Sequence, residues 1–438
     1  MYMITCSEKD LKIMTGVMAA SLLLGGCSSP AAPASTTSKT PNDDPSVKAE
    51  INLKDVGDAD YDKDQMDQLY RKYCFELFSQ TLKDNDPDAN VMISPASIMM
   101  ALDMVAAGAK GDSLKQLTDL FATGQAPLTQ QAYAADLMDK INGSKDIEFK
   151  CANAVWNNAK LLGNSANTEY VNYIQDTFLA EYTVTEFNDK TPDEINAWID
   201  EHTNHMIKKV IQQLDPDTVM VLVNAIAFEA KWETAYEDYQ IEDGDFHTAD
   251  GQKQKVTYLR DTTSAYYETD KAIGFRKAYE GGQYAFLAIL PKDDSVNANE
   301  FAKNFTPDDY EAFINSVSYD YEVYSLMPEF TYDFEMSLNG TVANMGCSDI
   351  FGANADFSGI AGAPGEIYVS QIIHKTHIEL DREGTKAAAV TSISLGVNSI
   401  EPVTVETRTV ECDRPYVYAI VDLDTMAPIF VGTVNGFE

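Results

Sequence analysis

The chemistry open to this chain rests on few residues. It has five histidines, six cysteines and sixty-nine carboxylates. His202 and His205 stand three apart on a predicted helix, so they could share a face and ligate a metal. No carboxylate or thiolate completes that set by spacing, and an ordinary polar helix face is expected instead. Asp58, Asp60, Asp62 and Asp64 alternate as in a calcium loop. Such a loop needs glycine at its sixth position and glutamate at its twelfth; here those are Lys63 and Leu69. A solvated acidic stretch is the better reading. There is no Gly-x-Ser-x-Gly elbow, no His-Glu-x-x-His and no glycine-rich phosphate loop. The expectation is a protein that is not an enzyme and carries no cofactor and no metal.

One stretch does not behave like an ordinary element. Residues 380–402 read "LDREGTKAAAVTSISLGVNSIEP". Ala387, Ala388 and Ala389 suit a helix, whereas the run Val390, Thr391, Ser392, Ile393 suits a strand. No helical or alternating apolar stripe runs through it. Gly384 supplies a backbone pivot, and no proline interrupts residues 382–401. The segment is written to be tolerable both as an exposed loop and as a buried strand.

The elements around it point to an α+β protein. "MDQLYRKYCFELFSQTL" has helical spacing, and "SPASIMMALDMVAAGAKG" opens with a serine cap and proline and closes on glycine. "TPDEINAWIDEHTNHMIKKVI" has Thr191 as cap candidate, acids in its first turn and lysines near its end. "TVMVLVNAIAFEAKW" is a long apolar run fit for a fully buried strand. "QYAFLAILP", "YEVYSLMPEF" and "YVYAIVDL…APIFVGTV" follow as strands. Helices gathered early and strands late imply large, mostly antiparallel sheets.

Charge and the N-terminus narrow the partners. The formal net charge of −37 repels phosphate backbones and anionic headgroups, so nucleic acid is excluded as a partner. Lys9 and Lys12 precede an apolar run over residues 13–24, and the run ends in "LLGGC". That pattern resembles a bacterial lipobox, although Glu8 and Asp10 dilute its positive region. It implies a signal peptide over residues 1–26, with Cys27 as the lipidated first residue of the mature chain. The protein would then be exported and lipid-anchored to the bacterial cell surface, or secreted, touching the membrane through the anchor only. Residues 27–63, rich in Ser, Thr, Pro and Asp, read as a flexible linker, and residues 64–438 as one domain. Cys6 would leave with the signal. Cys74, Cys151, Cys347 and Cys412 are widely spaced with no CxxC pair, and spacing does not define any pairing among them.

Four ordered spans of the domain resemble the serpin family. They are "NVMISPASIMMALDMVAAGAKGDSLKQL", "VNAIAFEAKWETAY", "IIHKTHIELDREGTKAAAV" and "DRPYVYAIVDLDTMAPIFVGTV". Weaker matches, "CANAVW", "FNDKTPDEINAWIDEHT", "LMPEF" and "ADFSGI", fall between them in family order. The resemblance implies three β-sheets, about nine helices and an exposed reactive loop. It implies a monomer that acts as bait for a serine protease. The protease cleaves the loop and forms an acyl-enzyme. The cut loop then enters the largest sheet as an added strand, a known case of strand addition, and traps the covalent complex. A dozen new ladder hydrogen bonds at roughly 0.5–1.5 kcal/mol each give on the order of 10 kcal/mol. That matches a whole domain's stability, so the uncut fold must be kinetically trapped.

Further roles follow from the same resemblance, position by position. Gly384, Thr385, Lys386, Ala387, Ala388 and Ala389 match the hinge of the loop. Lys386 departs from the short or acidic residue usual there, and its side chain is expected to face solvent after insertion. Arg382 departs from the usual glutamate at the top of the big sheet, where Trp232 matches the aromatic at the insertion point. Ser94, Ser97, Asn224 and His374 match the polar cluster below the point where the sheet opens. Counting fourteen positions from Gly384 puts the scissile bond at Asn398–Ser399, with Val397–Asn398 the alternative. The surrounding "SLGVNSI" has no basic or large aromatic residue, which implies an elastase-like or subtilisin-like target. The competing expectation is a non-inhibitory surface binding protein of the same fold, kept open by Lys386 and Arg382.

Overall fold

The computed structural model describes residues 2–5, 50–144, 148–163, 165–203, 205–385 and 406–437. Its strands are β1 (Tyr2–Thr5), β2 (Met92–Ile93), β3 (Glu148–Asn158), β4 (Glu181–Thr185), β5 (Thr218–Lys231), β6 (Ile241–His247), β7 (Lys253–Thr263), β8 (Tyr266–Glu268), β9 (Ala272–Ala278), β10 (Tyr284–Pro291), β11 (Tyr321–Pro328), β12 (Phe330–Ser337), β13 (Tyr368–Leu380), β14 (Gly384–Thr385), β15 (Glu406–Glu411), β16 (Tyr416–Asp422) and β17 (Pro428–Val434). Its helices are α1 (Lys63–Leu82), α2 (Pro95–Ala106), α3 (Gly111–Ala122), α4 (Pro127–Asn142), α5 (Thr168–Phe178), α6 (Thr191–His202), α7 (Ala298–Asn304), α8 (Pro307–Asn315) and α9 (Asn339–Asn344).

Three sheets result, as the resemblance implies. A seven-stranded sheet runs β1-β13-β14-β5-β3-β4, with β12 added on β13. A six-stranded sheet runs β2-β17-β16-β10-β9-β8, and a four-stranded one β15-β11-β7-β6. Pairing is antiparallel except β3 with β4 and β11 with β15. Strands β10, β16 and β17 are buried at every residue, which is why they read as unbroken apolar runs. The largest sheet is covered on both faces. Phe228 of β5 packs edge-on against Tyr279, Tyr284 and Phe430 on one side. On the other, Val221 and Val223 pack with Ile195 and Ile199 of α6.

Local chemistry sets the helix starts. Ser94 caps α2 by accepting from the Ser97 amide, with Pro95 in its first turn. Asp62 caps α1 through the Gln65 amide. One of the alternating aspartates is therefore a cap, not part of a solvated run. Folded structure also starts before the 27–63 linker ends. A 3-10 turn, Leu53–Asp58, buries Val56, and Lys54 pairs with Glu169 of α5. Helix α6 is shorter than its pattern suggests. The Asn196 side chain accepts from the amides of Val210 and Ile211 and donates to the Ile211 carbonyl. That holds residues 210–211 in a non-helical turn against the helix.

Asp103 is fully buried in α2, where Gln130 and Gln131 of α4 donate to its carboxyl. Burial pushes that carboxyl well above the usual range and so favours its protonated form. A raised folded pKa stabilises fully below the unfolded value of about 4, and that stability is lost as pH rises toward the folded pKa. Asp103→Asn should therefore be more stable than the parent at pH 8 and flatten the decline above pH 4, read by urea unfolding across pH.

Candidate functional site

The site is a strand position in the middle of the largest sheet. Strands β5 and β13 are joined through β14 at one end and β1 at the other. At the upper end Thr385 pairs with Leu380 on one side and Ala230 on the other. At the lower end Tyr2 pairs with Leu222 and Ile372, and Met3 with Val221 and Gln371. Every one of these pairings is antiparallel. The two ends share one register: eight residues back from Ala230 and Leu380 are Leu222 and Ile372, the pair that flanks Tyr2. A single strand entering at Thr385 would thus meet both neighbours in step as far as that row.

The upper end is built to start such a strand. A Cβ on Gly384 would sit 2.1 Å from the Ala230 carbonyl oxygen, so only glycine allows this approach. Asp381 turns the chain before it, its carboxylate accepting from the amides of Glu383 and Gly384 at 2.8 and 3.1 Å. The Thr385 side chain points into the core and shares a 2.8 Å hydrogen bond with the Tyr279 hydroxyl. Trp232, 3% exposed, stacks on that tyrosine with ring centroids 4.6 Å apart. Its indole N–H donates to the Asp381 carbonyl at 2.9 Å. Arg382 reaches outward to Asp238 at 2.7 Å.

Midway down, Ser94, Ser97, Asn224 and His374 lie along one run of hydrogen bonds, with the Ser97 amide donating to Ser94 Oγ. The Ser94 amide donates to His374 Nε2 at 3.1 Å, and Ser94 Oγ donates to the Ile429 carbonyl at 2.9 Å. Ser97 Oγ donates to Asn224 Oδ1. Asn224 in turn donates to Asn153 at 2.7 Å, and Asn153 to the Phe178 carbonyl at 2.6 Å. The network therefore ties α2 to β3, β5 and β13. Because Nε2 of His374 accepts, its proton sits on Nδ1. Burial holds the ring neutral and pushes its pKa down to about 3. Asn153 and Tyr279 complete the site without having been singled out. A lone asparagine in the apolar "CANAVW" was a usable signal for the first; nothing marked the second.

Other candidates fall elsewhere. His202 Nδ1 bonds the Trp198 carbonyl at 2.8 Å, while His205 turns to Asp200 at 2.8 Å, so the two rings serve different partners. Cys74, Cys347 and Cys412 are buried free thiols. Cys27, Lys386, Ala387, Ala388, Ala389, Val397, Asn398 and Ser399 lie outside the described residues, as does the side chain of Cys151. Strand β15 takes the chain up again at Glu406, parallel beside β11.

Comparison with known proteins follows the same lines. Residues 68–436 match the family model described as Serpin (serine protease inhibitor). Iripin-5 of Ixodes ricinus is 32% identical over 362 residues, covering 80% of this chain and 90% of its own. An uncharacterized serpin-like protein of Methanosarcina mazei is 29% identical, over 83% of this chain and 85% of its own. The native-state crystal structure of tengpin, a thermophilic serpin, aligns with a TM-score of 0.77 and 33% identity, covering 86% of this chain and 96% of that one. Thyroxine-binding globulin in complex with thyroxine aligns at 0.73 and 23% identity, over 85% of this chain and 99% of its own, a likeness of fold alone.

The His374 ring generates a pH prediction. Its folded pKa lies below the unfolded value near 6.5, so its contribution is whole above pH 6.5 and lost as pH falls toward 3. Unfolding temperature should drop through that window in the parent, and drop less in His374→Asn, followed by circular dichroism.

Proposed function

The chain belongs to the serpin family, and from that premise we propose that it inhibits a serine protease as a suicide substrate. The protease serine attacks the Asn398 carbonyl, the bond to Ser399 breaks, and the new amine leaves with a proton. The ester to Asn398 is then carried off by loop insertion.

The observation that supports this most is the length and register of the slot. Twelve residues back along each strand from Ala230 and Leu380 are Thr218 at the start of β5 and Tyr368 at the start of β13, and β1, which shifts register by one against each, reaches that row one residue sooner. Eleven and twelve residues on from Thr385 are Gly396 and Val397. The strand position is thus long enough for the loop to within one or two residues of the proposed cleavage. It leaves Asn398 at the far end of the sheet, with its cargo attached. In that register Thr385, Ala387, Ala389 and Thr391 face the core, where small side chains fit. Thr391 falls in the row of Asn224 and His374, where its hydroxyl can join their network.

Small aliphatic and polar residues around Asn398 fit an elastase-like or subtilisin-like protease. Processing at Cys27 would tether the protein to the outer face of the membrane. It would also remove Tyr2–Thr5 from the lower slot, leaving that half to the loop.

Three outcomes are expected. Incubation with an elastase and a subtilisin-type protease should give an SDS-stable complex, with mass mapping of the cut at Asn398–Ser399. Simple cleavage by every protease tried would instead favour a non-inhibitory binder. Thr385→Arg, which forces a long charged side chain against Tyr279, should lower complex yield at least tenfold and raise cleavage in step. Cys27→Ala should abolish incorporation of labelled palmitate; incorporation that survives would end the anchoring proposal.

A further inference from the structure

Strand β12 is an edge of the largest sheet: among the described residues it pairs with β13 and with no strand beyond it. Hydrogen bonding fixes which of its residues look outward. The Leu338 amide just past β12 donates to the Ile372 carbonyl of β13, whereas the Glu329 amide just before β12 donates to the Thr257 carbonyl of β7. Even-numbered residues therefore serve the β13 ladder, and Thr331, Asp333 and Glu335 turn their N–H and C=O groups the other way. Among the described residues these outward groups meet no backbone partner past the Thr257 contact. The side chains of the same three residues are exposed on one face. A cleft of about 1250 Å³ runs beside this edge, bounded by β12, β13, residues 88–90, the β6–β7 turn and residues 435–437. Seven of its lining residues are carboxylates, Asp88 and Asp250 among them, and none of the described lining residues is lysine or arginine. Asp333 and Glu335 have basic neighbours on β13, His377 at 2.7 Å and Lys375 at 3.1 Å, which leaves the cleft with a large acidic excess.

We propose that the β12 edge and its cleft receive an extended basic segment of a partner protein as an added strand. The outward backbone groups of Thr331, Asp333 and Glu335 supply the ladder, as in other cases of strand addition. Lysine or arginine at alternate positions of the segment stands opposite Asp333 and Glu335, where cross-strand Cβ atoms come within about 5.5 Å. Charge selects this occupant. An open edge invites stray strands, and edge charge is the usual defence against them. Here that charge has one sign, so it repels a second copy of a chain of net charge −37 and attracts a basic strand. Each exposed ion pair is modest and screened by salt, so the backbone pairing must carry much of the affinity. This edge lies across β13 from the slot between β5 and β13, so its occupation needs no cut loop.

The test uses the full, uncut chain and a labelled ten-residue peptide that alternates lysine and threonine, followed by fluorescence anisotropy. A second peptide of the same sequence and charge carries methyl groups on its lysine amides, which removes the donors that would face β12. The first peptide should bind saturably and slow amide hydrogen exchange at Thr331, Asp333 and Glu335. The methylated peptide should bind about tenfold more weakly or worse, because several ladder bonds are lost. The double variant Asp333→Asn, Glu335→Gln should weaken the first peptide several-fold, and 1 M NaCl should narrow that difference. Thr331→Pro, which removes one outward N–H without changing charge, should weaken it as well. Unfolding temperatures of the variants show whether they are folded, and the methylated peptide tests the same ladder on the unaltered chain. Equal binding of the two peptides overturns the strand pairing and leaves diffuse charge attraction. Absence of saturable binding by the alternating peptide overturns the proposal outright and leaves the edge charge as a guard against other strands.

Discussion

Two neighbouring strands that share no ladder with each other are the constraint on which this structure turns. In most sheets the central strands satisfy one another's backbone groups directly. Here β5 and β13 are joined through short pieces above and below, and their registers agree across the interval. Such a position is a standing demand for one more antiparallel strand. The described residues around it form its two ends and its flanks. Gly384 and Thr385 begin it, Trp232 and Tyr279 brace its first turn, and the polar network holds the flanking strands to α2.

The network suits that task because its members are buried and each hydrogen bond would be costly to leave unmade. His374 can take part only as a neutral ring, since protonation would put an unpaired charge in the core. The network is also two-sided. It reaches β3 through Asn153 and β13 through His374, so a change in spacing between β5 and β13 must be felt by all of it.

Much of the fold was legible. Apolar periodicity marked α1, α2, β5, β10 and the β16–β17 pair, because buried elements of that length leave few alternatives. Cap chemistry located the start of α2 at Ser94. The end of α6 was not legible, since it depends on Asn196 serving a backbone turn fourteen residues away. The role of Asp62 as a cap was hidden inside an acidic run. Tyr279 carried no signal because its partners, Trp232 and Thr385, come from remote parts of the chain.

By itself the sequence determined that residues 380–402 could live in two conformations. It also determined, through ordered motifs, the family to which the chain belongs. Composition, small side chains and the lack of proline are local properties, and they are readable without coordinates. Only the tertiary structure decided what each residue of that stretch would meet. Register is a relation between distant strands, and it takes β5, β13 and β14 together to set Thr385 between Ala230 and Leu380. A threonine that looks ordinary in one dimension becomes a strand start once its neighbours across the sheet are known.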